Sequence, residues 1–177
     1  MGFIGEWRAS RARRRRAKGY LHDVLGSPET TDIEWLSGIT GDVARAEREL
    51  VFARRALALI VAERDALDDR TASEVAHVLA AVIETEARES AANGAEWTAR
   101  RRTYTAAMAA RGNIEAPATR LGRVLLEGAG VARPTGEVLE RAAQFVLSTR
   151  TKANEALRAV FGVASLPEDV RPSAMRP

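Results

Sequence analysis

The chain has 177 residues and no cysteine, which excludes disulfides, zinc–thiolate sites and thiol catalysis. Only 5% of the residues are aromatic and alanine is abundant, a composition that favours closely packed helices over sheets. The net charge of +3 is uneven, because residues 1–20 contain seven basic side chains and one acidic side chain, whereas the remainder contains 20 basic and 23 acidic ones.

Residues 1–25 are predicted to form a basic helical arm with an aromatic tip. Phe3, Ile4 and Trp7 fall on one helical face at its start. The basic side chains that follow are Arg8, Arg11, Arg13, Arg14, Arg15, Arg16 and Lys18. Adjacent arginines cannot all face one partner on a helix, so this run produces a diffuse positive field.

A second apolar patch lies at the C-terminal end of the arm and is formed by Tyr20, Leu21, Val24 and Leu25. The sequence Gly26-Ser27-Pro28 then predicts the end of the helix. Residues 31–34 have the form of a capping box, with Thr31 as the N-cap, and predict a short helix that ends near Gly38 and Gly41.

The strongest helical pattern runs over residues 42–69. Apolar side chains recur at alternating spacings of three and four residues from Val43 to Leu67, with Arg64 as the polar interruption. The apolar surface is wider than a two-stranded coiled coil needs, which favours a globular bundle. The pattern leaves open whether this seam packs within one chain or against a second chain.

A further helical pattern covers residues 73–111. Residues 71–74 resemble a second capping box, led by Thr71, and predict a helix start at residue 73. Asn93-Gly94 offers a break, so this region is either one helix or two helices separated at 93–94. The short turn at 68–72 predicts that 42–69 and 73–92 form an antiparallel hairpin.

The last helices are predicted from terminal signals. Pro117 suits the first turn of a short helix, and Thr135 suits the N-cap of a long helix that ends near Gly162. We predict an all-α fold, an antiparallel helical bundle with long helices near 42–69, 73–111 and 135–161. The predicted organisation is a docking arm at 1–25, a bundle domain at 26–164 and an extended C-terminal tail at 165–177.

Glu74 and His77 have the Glu-x-x-His spacing of di-iron bundle proteins. Such a site needs a second pair, and the other histidine, His22, has no glutamate three residues before it. Glu74 is also explained as the partner of Thr71 in the capping box. No nucleophile motif or phosphate-binding glycine loop is present, so we predict no metal, no cofactor and no enzymatic activity.

A second basic cluster consists of Arg100, Arg101 and Arg102, between Trp97 and Tyr104. We predict a secondary basic patch at these three residues. Glu96 lies four residues before Arg100, so part of the cluster is explained by ordinary pairing along a helix.

These features favour a non-catalytic structural or accessory subunit of a larger assembly. The arm is expected to dock on an acidic protein face or on an anionic membrane surface, with other protein subunits as the main partners. A nucleic-acid-associated protein that uses the arginine-rich arm is the first alternative, and a helical-bundle cofactor or metal protein is the second. No small-molecule substrate is inferred.

The expected location is the cytoplasm, or the cytoplasmic face of a membrane if the arm binds lipid. The longest apolar stretch is far shorter than the ~20 residues of a membrane-spanning helix.

Overall fold

The computed structural model describes residues 3–65, 69–110 and 114–162, with the side chains of 3–5, 69, 89, 91 and 93 excepted. The predicted all-α fold is confirmed for these residues, which form seven helices and no strand. The helices are α1 (Phe3–Val24), α2 (Thr30–Thr40), α3 (Val43–Asp65), α4 (Asp69–Glu89), α5 (Ala91–Ala109), α6 (Pro117–Gly128) and α7 (Gly136–Phe161). The predicted tail at 165–177 lies outside the described residues.

Helix α3 is the centre of the fold and contacts each of the other six described helices. Seven consecutive residues, 56–62, are buried, so the middle of this helix is covered on all sides. Of the predicted seam, Leu50 and Leu57 are fully buried, whereas Val43 and Arg64 are exposed. The buried part of the seam therefore packs within this chain.

The region predicted at 73–111 consists of two helices, and the predicted position of the break was wrong. The chain breaks at Ser90, whose backbone is extended with φ −150 and ψ 103. Gly94 instead lies inside α5. A Cβ atom on Gly94 would be 2.8 Å from the Cβ of Ala87, so glycine permits α4 and α5 to approach closely across the break.

The two predicted capping boxes were also wrong, whereas three other terminal signals are confirmed. Helix α4 begins at Asp69, which leaves Thr71 inside the helix and buried, and α2 begins at Thr30. Pro117 occupies the first turn of α6. The Thr135 side chain accepts a hydrogen bond from the backbone N–H of Val138 at 3.4 Å. Gly162 ends α7 with φ 94, a conformation that favours glycine.

The second half of α1 belongs to the core. Tyr20 is fully buried and donates a hydrogen bond to the carbonyl of Ala58 in α3 at 2.8 Å. Burial raises the pKa of the Tyr20 hydroxyl well above its ordinary value, so this group is a neutral donor. Arg54 of α3 donates two hydrogen bonds to the carbonyl of Val24, at 2.8 and 3.1 Å. These contacts fix the C-terminal end of the predicted arm to α3.

Gly19 lies within the continuous helix α1, and a Cβ atom at this position would meet nothing within 4 Å. We expect Gly19→Ala to stabilise the protein by about 0.5–1 kcal/mol, because alanine loses less conformational entropy than glycine when a helix forms. Urea denaturation followed by circular dichroism measures the change. A loss of stability would show that α1 is not a continuous helix at this point.

Candidate interaction groove between α1 and α4

A groove of about 530 Å³ lies between α1 and α4. Its apolar floor is made by Leu21, Leu25, Val78, Ala81 and Val82. Leu21 and Val78 are almost completely buried, whereas Val82 is 38% exposed. The two helices therefore leave an accessible apolar strip beside their contact.

One edge of the groove is basic. Arg14, Lys18 and His22 line it and follow one another at intervals of four residues, which places them along one face of α1. Thr85 is on the α4 side, and none of the ten lining residues carries a carboxylate. Arg14 and Lys18 thus give the groove a positive rim at neutral pH.

The same face of α1 continues toward the N-terminus through Arg11 and Trp7. The Trp7 side chain is 52% exposed, and the Arg11 guanidinium carbon lies 4.4 Å from the centroid of its ring. This distance is typical of a cation–π contact. The side chains of Phe3 and Ile4, the other two residues of the predicted aromatic tip, lie outside those that the structure describes.

The cations of α1 have no acidic partners among the described residues. Their side chains are exposed at Arg8, Arg11, Arg14, Arg15, Arg16 and Lys18 and half-buried at Arg13. Some arginines elsewhere are paired, since Arg55 binds Glu86 at 2.5 Å and Arg141 binds Asp32 at 2.9 Å. The positive charge of α1 is therefore available to a partner.

The structure does not bring the three residues of the predicted secondary patch to one surface. Arg101 and Arg102 are exposed, but Arg100 turns toward α3 and binds both carboxylate oxygens of Glu49, at 2.6–2.9 Å. Glu49 is 1% exposed. Arg100, whose side chain is 27% exposed, is thus paired with a buried carboxylate, and two exposed arginines remain at the predicted patch.

This ion pair is part of a polar network that joins three helices. Arg100 and Arg45 each donate a hydrogen bond to the carbonyl of Gly128 at 3.1 Å, so two cations meet the C-terminal end of α6, where the helix dipole is negative. Burial raises the pKa of the Glu49 carboxyl, and the hydrogen bond from Arg100 opposes this effect. The network is a structural connection between α3, α5 and α6.

Tyr104 lies next to this network and is fully buried. Its hydroxyl has no hydrogen-bond partner within the described part of the chain. Burial raises the pKa of this hydroxyl far above its ordinary value, and the nearby Glu49 carboxylate adds to the increase. Tyr104 therefore contributes a neutral aromatic side chain to the core.

Two smaller cavities, of about 270 and 280 Å³, each have an ion pair among their lining residues. The first is lined by the Arg55–Glu86 pair and the second by the Arg141–Asp32 pair. The α1–α4 groove differs from both because its cations face solvent without a carboxylate beside them.

Glu74 and His77 lie on α4, half-buried and exposed respectively. The described residues include no group of three or more histidine or acidic side chains that could hold a metal ion. Among the helices of the described ranges, none is long and apolar enough to cross a membrane.

The α1 residues of the groove could be recognised in the sequence, whereas the α4 residues could not. The basic residues of the rim and the apolar patch with Leu21 and Leu25 were visible in the sequence. The structure divides that patch, since Tyr20 and Val24 enter the core and Leu25 reaches the groove. The α4 residues, among them Val82, carried no distinguishing signal because the pairing of α4 with α1 is a tertiary feature.

Comparisons with known proteins identified no relative of this chain. The chain matches no protein-family model, and no curated protein or solved structure shows significant similarity to it. Its function is therefore inferred from the geometry and charge of its own residues.

Proposed function

We propose that the protein is a non-catalytic structural or accessory subunit of a larger assembly, and that it docks on an acidic face of a partner protein through the exposed cations of α1, from Arg8 to Lys18. The observation that carries this proposal is the set of exposed α1 cations without acidic partners in the described part of the chain. A surface of this kind attracts anionic partners and increases the rate of association.

The placement of α1 supports docking rather than a free basic tail. Contacts of Tyr20 and Val24 hold the second half of α1 against α3. The cations from Arg8 to Arg16 belong to the first half of the same continuous helix. The body that carries the helix is, in this proposal, an antiparallel bundle around α3. The proposed location is the cytoplasm.

An anionic membrane surface is the second candidate partner. The half-exposed Trp7 at the start of α1 favours it, because tryptophan is enriched at the depth of lipid headgroups and nearby arginines add attraction to anionic lipid. In this version the protein would lie at the cytoplasmic face of the membrane.

Affinity purification of the tagged full-length chain from its native lysate tests the proposal. We expect a protein partner in stoichiometric amount with the wild type, and a decrease of about tenfold in its recovery when Arg8, Arg11, Arg15 and Arg16 are replaced by Gln, because the charge attraction is removed. A matched control replaces four exposed arginines outside α1, namely Arg64, Arg101, Arg102 and Arg158. The control is expected to retain the partner.

Two treatments of the lysate separate the classes of partner. Nuclease treatment that abolishes recovery would favour nucleic acid, and detergent that abolishes it would favour a membrane. Equal loss in the α1 variant and in the control would contradict a docking role for α1, as would recovery of no partner by the wild type.

A further inference from the structure

We propose that the α1–α4 groove binds an amphipathic α-helix of the partner protein, with the apolar side of that helix on the groove floor and its carboxylates beside Arg14 and Lys18. The inference rests on the proposed function and specifies its site and partner. It follows from the shape, the polarity and the charge of the groove.

The shape of the groove suits a helix. The α1 side extends from Arg14 to Leu25, which corresponds to roughly 17 Å and about three helical turns. The groove is open along this length, whereas a site for a small molecule usually encloses most of its ligand. A helix laid between α1 and α4 would bury the apolar floor and leave its own polar side in solvent.

The floor distinguishes a helix from a membrane surface. Leu21 is 3% exposed and Val78 is 5% exposed, so these side chains are recessed between the two helices. A flat lipid surface reaches only the outer edge of such a floor, whereas side chains that project from a helix at positions i, i+3, i+4 and i+7 can enter the groove and cover Val82, which is 38% exposed. Recessed apolar residues therefore favour a partner with projecting apolar side chains.

The charge of the rim defines the chemistry of the partner. Arg14 and Lys18 are exposed, have no ion pair with any described carboxylate, and lie directly beside the floor. Glutamate or aspartate residues that flank the apolar side of the incoming helix would neutralise them. Such pairs also define the register of the complex, since like charges at the same positions are disfavoured.

The test measures binding of a labelled synthetic peptide to the full-length chain by fluorescence anisotropy. The peptide is an acidic amphipathic helix of about 14 residues with leucines on one face and glutamates on both flanks. A scrambled peptide of the same composition has the same charge without the apolar face. We expect the amphipathic peptide to bind about tenfold or more tightly than the scrambled one.

Two pairs of variants locate the binding site. The double variant Arg14→Glu/Lys18→Glu is compared with Arg8→Glu/Arg16→Glu, which changes the net charge equally. Arg16 is two residues from both Arg14 and Lys18, so it projects about 200° away from each. We expect an increase in Kd of about tenfold or more for the first double variant and of about twofold for the second.

The floor is tested with Val82→Glu and, as a second variant, Ala81→Glu, against Ala80→Glu on an exposed face of the same helix. Circular dichroism and thermal unfolding confirm that each variant is folded. We expect the two groove variants to weaken peptide binding about tenfold, because a carboxylate replaces apolar surface and opposes the glutamates of the peptide, and the control to leave it unchanged.

Several results would overturn the inference. If both charge-reversal pairs weaken peptide binding equally and the folded groove variants bind the peptide unchanged, the peptide binds through charge alone. That result would support charge-driven docking and would reject the groove as the binding site. Equal binding of the two peptides, or no binding of either, would also reject a helix in the groove. Binding to phosphatidylserine vesicles but not to the peptide would assign the basic face to a membrane.

Discussion

The variant Arg100→Met is expected to lose about 3–5 kcal/mol of unfolding free energy at pH 7, because it leaves the buried Glu49 carboxylate without its cation. Arg100 binds both oxygens of that carboxylate and also the carbonyl of Gly128. Urea denaturation of the wild type and the variant measures the difference. The neighbouring variant Arg101→Met removes an exposed arginine of α5 and should change stability by less than about 0.5 kcal/mol.

The loss in Arg100→Met should depend on pH. Burial raises the pKa of the Glu49 carboxyl, and removal of Arg100 leaves this effect unopposed by its principal partner. A folded-state pKa above the unfolded value of about 4.3 means that the penalty is absent below that pH and increases as the pH rises toward the folded pKa. The variant should therefore approach the wild type when the pH is lowered from 7 to about 4. A deficit of the same size at both values would show that lost packing, and not a buried charge, is responsible.

A double-mutant cycle separates the pair from its surroundings. The variant Glu49→Leu/Arg100→Met removes both charges and should lose less stability than Arg100→Met alone, because no uncompensated carboxylate remains. A double variant as unstable as the sum of the two single variants would indicate that the two side chains act independently.

Gly122→Ala is expected to destabilise the protein by about 1–3 kcal/mol. A Cβ atom on Gly122 would lie 2.9 Å from the backbone nitrogen of Ala143 and 3.0 Å from the carbonyl carbon of Ala142, both in α7. Backbone atoms cannot rotate away as a flexible side chain can, so α6 and α7 would have to separate. Thermal and urea denaturation measure the effect.

Gly38→Ala is the matched control for this prediction. Gly38 is also inside a helix, and a Cβ atom there would meet nothing within 4 Å. The control should gain about 0.5–1 kcal/mol from the higher helix propensity of alanine. If Gly122→Ala gained as much, α6 and α7 would not be in close contact at this point.

The existence of most helices could be predicted from the sequence because apolar periodicity is local. The helix starts were less predictable, and Thr71 shows the reason: its spacing to Glu74 is that of a capping box, but in the fold Thr71 is buried within α4. Asn93-Gly94 likewise has the sequence of a helix break, but Gly94 lies inside α5, where the absence of a side chain allows α5 to pack close to Ala87 of α4. Tertiary packing decided both positions.

The α1 side of the candidate site was predictable, whereas the α4 side was not. Arg14 and Lys18 stand out in the sequence, but their position beside Val82 depends on how α1 and α4 pack, which no local pattern encodes. The Glu49–Arg100 pair was missed for a similar reason. The two residues are 51 positions apart, and a glutamate between apolar residues of a helix has the pattern of a solvated side chain until its partner is known.

The hydrogen bond between Tyr20 and Ala58 has a consequence for the affinity of the proposed docking through α1. A disordered tail of the same charge loses about 1–2 kcal/mol of backbone conformational entropy for each residue that a partner orders. Helix α1 is ordered when the protein folds, so this loss does not fall on the binding step. Affinity should then depend on where each cation is placed on the helix and not only on how many there are, and moving a charge to another face should weaken binding although the net charge is unchanged.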